Sequence, residues 1–197
     1  MRLKALLAAL VAISLTFAAV PAQAADPFEA NWGTFSSFSL SGTGDQTLQL
    51  PAELASGYVH ASYSGTSNFI VRTLDSATAW HDLVINVIGS YDGGGAFGLY
   101  PNGKAAWVEV ESSGSWTLDF APLSTAPALP SSGSGNGVFK ISLDAVPIWK
   151  SAYVGSSNFI VRQYCVNAWF YELLANTIGN SSSTKAGLKG DCLIDVQ

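Results

Sequence analysis

The chain has 197 residues, with 14 acidic side chains against nine basic ones and a formal net charge of −5. This balance argues against nucleic-acid binding, which relies on clustered Lys and Arg, and against a polybasic contact with a membrane surface. Only 12% of the residues are charged and 19 are glycines, a composition typical of many short strands joined by turns.

The first 24 residues have the layout of a secretory signal peptide. Arg2 and Lys4 form a basic start, residues 6–20 are largely apolar, and the sequence AQA at 22–24 resembles a cleavage site. The apolar run is too short to span a bilayer, which disfavours an uncleaved anchor. We therefore expect a secreted, extracellular chain that begins at Ala25 and has no later membrane span. Loss of two bases leaves seven against 14 acids, so its net charge becomes −7.

Short segments with strand character follow in close succession. They alternate polar and apolar residues or are rich in β-branched and aromatic ones, and turn clusters separate them. DLVINVIGSY is long enough for a helix, but its Val and Ile content favours a strand, whereas YDGGGAFG at 91–98 is expected to be a long flexible turn. The predicted strands include TLQLP (47–51), YVHASY (58–63), FIVR (69–72), DLVINVIGSY (82–91), WVEVE (107–111) and SWTLDF (115–120).

The same pattern occurs twice in the chain. SNFIVR stands at 67–72 and again at 157–162, inside a longer match of 58–72 with 148–162. DLVINVIGS at 82–90 corresponds to ELLANTIGN at 172–180, and WVEVE at 107–111 to LIDVQ at 193–197. One domain type is therefore used twice. Because FIVR is apolar and strand-like, we interpret the copied hexapeptide as scaffold.

We predict an all-β fold of two tandem antiparallel β-sandwiches, Ig-like or jelly-roll-like. The first unit covers 35–122, a linker rich in Pro and Ser covers 123–134, and the second unit covers 135–197.

The second unit should lack its last strand. Gln197 aligns with Glu111, so nothing in the second copy corresponds to residues 112–120. Truncation or degeneration is the favoured explanation. The alternative is an open edge that another strand completes, from a partner or a second copy, and we expect that edge near Leu193–Val196.

Several motifs shared by the two copies resemble those of a known secreted unit. They are S-G-x-G-[DN], G-[ST]-S-N-F-I-V, [DE]-L-x-x-N-x-I-G and, in the first copy alone, G-S-W-T. This combination resembles a recurrent β-sandwich unit of extracellular proteins from Gram-positive, especially actinobacterial, bacteria. The resemblance covers 37–122 well and 132–197 in part. The resemblance implies the sandwich fold and an extracellular location, and it implies no catalytic residues.

The two cysteines, Cys165 and Cys192, both lie in the second copy. A single pair in an exported chain predicts one disulfide. A catalytic thiol would need a basic partner, but no histidine follows His81. A two-thiol metal site would lack further ligands at useful spacing.

We expect no catalytic site and no cofactor. His60 and His81 are not repeated in the second copy, and no serine stands in a G-x-S-x-G sequence. Asp45 and Asp92 lie in glycine-rich loops and could contribute to a calcium site, but such a site needs six or more oxygen ligands. The acids repeated in both copies are interpreted as strand-edge charges that discourage aggregation.

The candidate ligand-binding residues are Trp107, Glu109 and Glu111. In AAWVEVE, Val108 and Val110 share one side of the strand, so the other three side chains face outward if the valines pack in the core. An exposed Trp beside carboxylates is a plausible sugar platform, since the ring stacks on C–H groups and the acids accept hydroxyl hydrogen bonds. The alternative is an edge residue packed under a loop.

The expected function is a secreted, non-catalytic binding or surface-interaction module. Its expected partners are an extracellular polysaccharide or other cell-envelope ligand, or a cell-surface protein. The alternative is a structural or protein–protein element that uses the open strand edge of the second unit.

Overall fold

The computed structural model describes residues 25–99 and 104–197, so the predicted signal peptide lies outside the described residues. Within those ranges the chain forms 14 strands, one short α-helix and one 3₁₀ turn, and the predicted all-β fold is confirmed. Helix α1 (Pro27–Trp32) is not predicted above. The Asp26 carboxylate caps it by accepting hydrogen bonds from the N–H groups of Phe28 (2.8 Å) and Glu29 (3.4 Å).

The strands divide between the two units. The first unit contains β1 (Phe38–Thr43), β2 (Gln46–Gln49), β3 (Gly57–Ser64), β4 (Asn68–Leu74), β5 (Trp80–Ile88), β6 (Tyr91–Phe97), β7 (Trp107–Glu111) and β8 (Ser115–Ala121). After the 3₁₀ turn (Leu123–Thr125), the second contains β9 (Gly137–Leu143), β10 (Ile148–Tyr153), β11 (Asn158–Cys165), β12 (Tyr171–Ile178), β13 (Ser181–Ala186) and β14 (Gly190–Val196).

The first unit is a sandwich of two four-stranded antiparallel sheets. Sheet A has the order β1-β8-β3-β6 and sheet B the order β2-β7-β4-β5. Alternate residues of both sheets point inward, as expected for a half-buried strand. Phe69, Val108 and Leu118 are fully buried between the sheets, and Trp116 is buried with them.

The second unit has one complete sheet and one incomplete sheet. Sheet C has the order β12-β11-β14-β9, whereas sheet D contains only β10 and β13. By the sequence repeat, β10 corresponds to β3 and β14 to β7, and no described strand corresponds to β8.

The expected position of the open edge is wrong. Strand β14, which contains Leu193–Val196, lies in the middle of sheet C between β11 and β9. A strand equivalent to β8 would pair with β10, as β8 pairs with β3 in the first unit, because β8 lies in the sheet opposite to that of β7. The open edge is therefore on β10.

Each copy of the hexapeptide contributes a phenylalanine to a stacked aromatic pair, which we call the aromatic corner. Tyr63 stacks on Phe69 with ring centroids 4.6 Å apart, and Tyr153 stacks on Phe159 at 4.7 Å. In the first corner, the Tyr63 ring lies so close to Gly65 that a Cβ there would be 2.1 Å from the hydroxyl oxygen. The glycine before each hexapeptide thus makes room for the tyrosine, which explains why this stretch is repeated as scaffold.

The glycine-rich segment at 91–98 is strand β6 rather than the expected flexible turn. It pairs with β3 along its full length. Its glycines let neighbouring backbone approach closely, because a Cβ on Gly94 would be 2.8 Å from the Val59 carbonyl oxygen and one on Gly95 would be 2.6 Å from that of Val84.

The two units pack against each other through an apolar cluster. Phe28 of α1 and Leu123 lie against Val138, Tyr164 and Leu193 on the outer face of sheet C. A backbone hydrogen bond from Gly94 N–H to Asn136 C=O (3.1 Å) joins β6 to the start of the second unit.

The predicted disulfide between Cys165 and Cys192 is present. It joins β11 to β14 at a directly opposed pair of residues.

None of the helices in the described part of the chain is both long and apolar enough to span a bilayer.

Candidate binding surface

The outer face of sheet B contains the three predicted ligand-binding residues. Val108 and Val110 are fully buried in the core, and Trp107, Glu109 and Glu111 alternate with them on the opposite, partly exposed side of β7. The side chains therefore point outward. We call this face of sheet B the tryptophan face.

The first row of the tryptophan face crosses all four strands and is mainly apolar. Directly opposed residues in a sheet share a face. Gln49 lies opposite Trp107, Trp107 lies opposite Leu74, and Leu74 lies opposite Trp80. Trp80 is 69% exposed, so two indole rings flank a leucine in one row, with an amide at its end.

The second row contains Thr47, Glu109, Arg72 and the exposed Leu83, and an ion network joins it to Glu111 in the next row. Arg72 lies opposite Glu109 in the ladder between β4 and β7. Its Nε is 3.4 Å from Glu109 Oε2, and its Nη2 donates to Glu111 Oε1. The acids predicted to accept ligand hydroxyls are thus held in place by one guanidinium. Each carboxylate has a second oxygen that this pairing does not use.

The sequence patterns do not identify Trp80 as a binding residue, although the residues before it indicate that its side chain is exposed. It follows DSATA, a turn cluster in which the Asp75 carboxylate accepts hydrogen bonds from the N–H groups of Ala77 (2.8 Å) and Ala79 (2.9 Å). Thr78 has a left-handed φ of 62°. A tryptophan directly after such a hairpin tip has little chain around it to bury it. The aligned residue of the second unit, Phe170, is also aromatic and is 43% exposed.

The corresponding face of the second unit is covered. Leu193, which aligns with Trp107, is fully buried in the cluster between the units. Arg162 repeats the role of Arg72, with its Nη1 3.3 Å from Asp195 Oδ2 and 2.9 Å from Gln197 Oε1. Burial raises the pKa of Asp195 to about 6, against the lowering effect of Arg162. Within the described ranges, only the first unit therefore presents this face to solvent.

A cleft of about 1120 Å³ lies between the units. Its lining includes Asp82, Asn136, Ile160, Arg162 and Asp195. Asp195 Oδ1 is buried without a hydrogen-bond partner among the described residues. The cleft has a mixed polar and apolar lining and has room for water or a small hydroxylated molecule beside this oxygen.

The two histidines lie apart and have different partners. His60 Nε2 is 3.1 Å from Asp92 Oδ1 on the surface. The buried His81 ring contacts both Thr73 Oγ1 (3.0 Å) and Asp82 Oδ2 (3.2 Å) through the same nitrogen, Nδ1. A nucleophile–base relay needs the two ring nitrogens to contact different groups, and this arrangement does not provide that.

The aspartates considered for calcium have protein partners. Asp45 accepts a hydrogen bond from Ser112 N–H (2.8 Å), and Asp92 pairs with His60. Residues 25–99 and 104–197 contain no group of three or more His, Cys, Asp or Glu side chains placed to hold a metal ion.

No protein-family model matches the chain, and no curated protein matches it in sequence. The resemblance to the secreted actinobacterial unit stays a prediction.

Proposed function

We propose that this is an extracellular, non-catalytic binding protein whose tryptophan face binds polysaccharide of the cell envelope. The observation that carries the proposal is the row in which Trp80 and Trp107 lie on either side of Leu74, next to the charged row of Arg72 and Glu109. Trp80 is 69% exposed and Trp107 is partly exposed, and exposed apolar surface of this kind marks an interaction site.

The two rows suit the two kinds of surface on a sugar ring. Indole rings offer flat apolar area for the C–H groups, and their geometry is rigid because a tryptophan has only two side-chain torsions. Arg72 donates hydrogen bonds, and the free oxygens of Glu109 and Glu111 accept them. Residues in successive rows are two positions apart along a strand, about 7 Å, so one chain of sugars can contact both rows.

The arrangement of the carboxylates supports binding rather than hydrolysis. Glycoside hydrolysis places two carboxyl groups on either side of the scissile bond. Glu109 and Glu111 instead lie on one flat face of the same strand, and both pair with Arg72. The disulfide supports an oxidising, extracellular compartment.

Pull-down with purified cell walls and insoluble polysaccharides, followed by titration of the soluble fragments that bind, tests the proposal. Trp80→Ala should weaken binding about tenfold or more, as removal of an aromatic hot spot does. Trp107→Phe, which keeps a smaller ring and the packing against Leu74, should weaken it less than Trp107→Ala.

Trp169→Ala is the matched control, because Trp169 is 88% exposed at a hairpin tip of the second unit and lies off the tryptophan face. It should bind like the unchanged protein. Equal binding by Trp80→Ala and Trp169→Ala, both folded by circular dichroism, would refute the tryptophan face as the ligand site.

A further inference from the structure

Strand β10 has one open side. Within the described residues it pairs with β13 and with no other strand, whereas its counterpart β3 lies between β8 and β6. An unpaired strand edge presents a row of free N–H and C=O groups that can pair with another chain. A sheet of only two strands is also marginally stable by itself.

The hydrogen-bond pattern shows which backbone groups face this open edge. Gly187 N–H donates to Pro147 C=O (3.0 Å), in line with the register that places Ile148 opposite Ala186. Hydrogen-bonded positions alternate along an antiparallel strand, so Trp149, Ser151 and Tyr153 bond to β13. The residues whose backbone groups point to the open edge are Ile148, Lys150, Ala152 and Val154.

The core beside β10 is only half covered. In the first unit Val59 and Phe69 are fully buried and Tyr63 is 4% exposed. Their counterparts Trp149, Phe159 and Tyr153 are all partly exposed. Among the described residues no strand covers this part of the second core, whereas β8 covers the first core with Trp116, Leu118 and Phe120.

We propose that β10 pairs with β10 of a second copy, antiparallel about a two-fold axis at Ser151. The two incomplete sheets then form one continuous sheet of four strands, the same number as in sheets A, B and C. The pairing goes beyond the proposed function and does not depend on what the tryptophan face binds. A two-fold interface of this kind is the commonest way in which identical chains associate.

The inward side chains are complementary in this register. Trp149 lies opposite Tyr153 of the second copy, and Tyr153 lies opposite its Trp149. The first unit contains the same chemical pair at the equivalent place, because Tyr63 lies opposite Trp116 in the β3–β8 ladder. The second copy therefore supplies aromatic cover where β8 supplies it in the first unit, and cross-strand aromatic pairs are favourable.

The outward side chains are complementary too. Ile148 is 64% exposed and Val154 is 88% exposed, and the register places each opposite the other across the two strands. Lys150 lies opposite Ala152 of the second copy. The register also places the free backbone groups of Ile148 opposite those of Val154, and those of Lys150 opposite those of Ala152, as hydrogen-bonded pairs.

A neighbouring register is less favourable. Opposed residues must lie on the same face of the sheet. The register can therefore shift only by an even number of residues. Centring the axis on Lys150 would place two ammonium groups directly opposite each other, which is destabilising. The axis at Ser151 avoids this repulsion and pairs the full strand.

Sedimentation velocity of the purified protein over a range of concentrations tests the association. We expect a concentration-dependent species of twice the monomer mass. Ala152→Pro removes an N–H that points to the second copy and leaves the β10–β13 ladder intact, so it should weaken dimerisation by about tenfold or more.

Ser41→Pro is the matched control at another open edge. Gly44 N–H donates to Gly114 C=O (3.2 Å), so the N–H of Ser41 points away from β8 at the free side of sheet A. This variant should dimerise like the unchanged protein. A protein that is monomeric at all concentrations, or equal effects of the two prolines, would overturn the proposal.

A charge pair tests the register itself. Ala152→Glu places a carboxylate opposite Lys150 of the second copy at two symmetric positions and should tighten the dimer. Ala152→Lys places like charges there and should weaken it. Both effects should shrink in high salt. Equal behaviour of the two variants would contradict the axis at Ser151.

Discussion

Asp195 and Glu109 are equivalent residues of the two units, but their surroundings differ. Glu109 is partly exposed beside Arg72, whereas Asp195 is 3% exposed between the units. Removal from water disfavours the carboxylate, so burial raises the pKa of Asp195 to about 6 even though Arg162 opposes the shift. The buried copy of this repeated ion pair therefore carries a pH dependence.

The raised pKa predicts the direction of a pH effect on stability. Between its unfolded value, near 4, and about 6, the folded state binds the Asp195 proton more tightly than the unfolded state does. The stabilisation is complete below that range and is lost as the pH rises through about 6. As the pH rises through this range, the free energy of unfolding of the unchanged protein should fall by on the order of 3 kcal/mol. Asp195→Asn should abolish this fall.

Urea unfolding at pH 4, 5, 6 and 7 measures this difference. Glu109→Gln is the matched control, because it changes the same chemical group at the equivalent position of the first unit. Parallel pH profiles for the unchanged protein and Asp195→Asn would show that the buried carboxylate does not titrate in this range.

The sequence predicts the direction and burial of some side chains but not of others. The outward direction of Trp107 follows from strict alternation in WVEVE, since Val108 and Val110 identify the core side. The burial of Asp195 does not follow from its own strand, because that strand matches β7 and its outer face is covered only by contact with the other unit. A local pattern carries no information on such docking.

At the scale of elements, the errors have local physical causes. Strand β6 was missed because its glycines resemble a turn, yet they are required where Val59 and Val84 backbone atoms approach. Helix α1 could have been predicted, because Asp26 followed by Pro27 is a strong helix start. The strand order explains why the open edge is on β10, and this order is a tertiary property.

The disulfide is an element-scale constraint on the second unit. Cys165 and Cys192 are separated by 27 residues and enclose β12 and β13. Closing such a loop lowers the entropy of the unfolded chain and stabilises the fold by about 3.5 kcal/mol in the chain-entropy model. The Cys165→Ala, Cys192→Ala double variant should lose about this much.

Chemical unfolding of the double variant should be compared with the unchanged protein under reducing and non-reducing conditions. Reduction should bring the unchanged protein close to the variant and leave the variant itself unaffected. Hydrogen exchange should show the loss mainly in residues 137–197. Equal stability of all samples would mean that sheet C holds its register without the covalent link.

At the scale of the whole molecule, the contact between the units places the two copies in different surroundings. The outer face of sheet C lies against α1, the linker and the first unit, whereas the equivalent face of sheet B is open. The repeat therefore produces one buried and one exposed version of the same surface. The repeated sequence forms the scaffold twice, and the contact between the units leaves this face exposed in the first copy.

Phe28 connects this contact to the stability of the second unit. It is 5% exposed in the cluster with Leu123 and Leu193, and Lys140 Nζ lies 5.5 Å from the centre of its ring. Phe28→Ala should cost about 3–5 kcal/mol if the contact closes as tightly as a domain core. Because sheet D is incomplete, the second unit should then unfold before the first.

Scanning calorimetry should show one unfolding transition for the unchanged protein and two for Phe28→Ala, with exchange of amide hydrogens in residues 137–197 accelerating first. Trp169→Ala, which removes an exposed ring from the same unit, should keep a single transition. If Phe28→Ala also unfolds in one step, merely at lower temperature, the units are coupled mainly by the β6–β9 contact. Helix α1 would then stabilise the protein without being the reason that the two units unfold together.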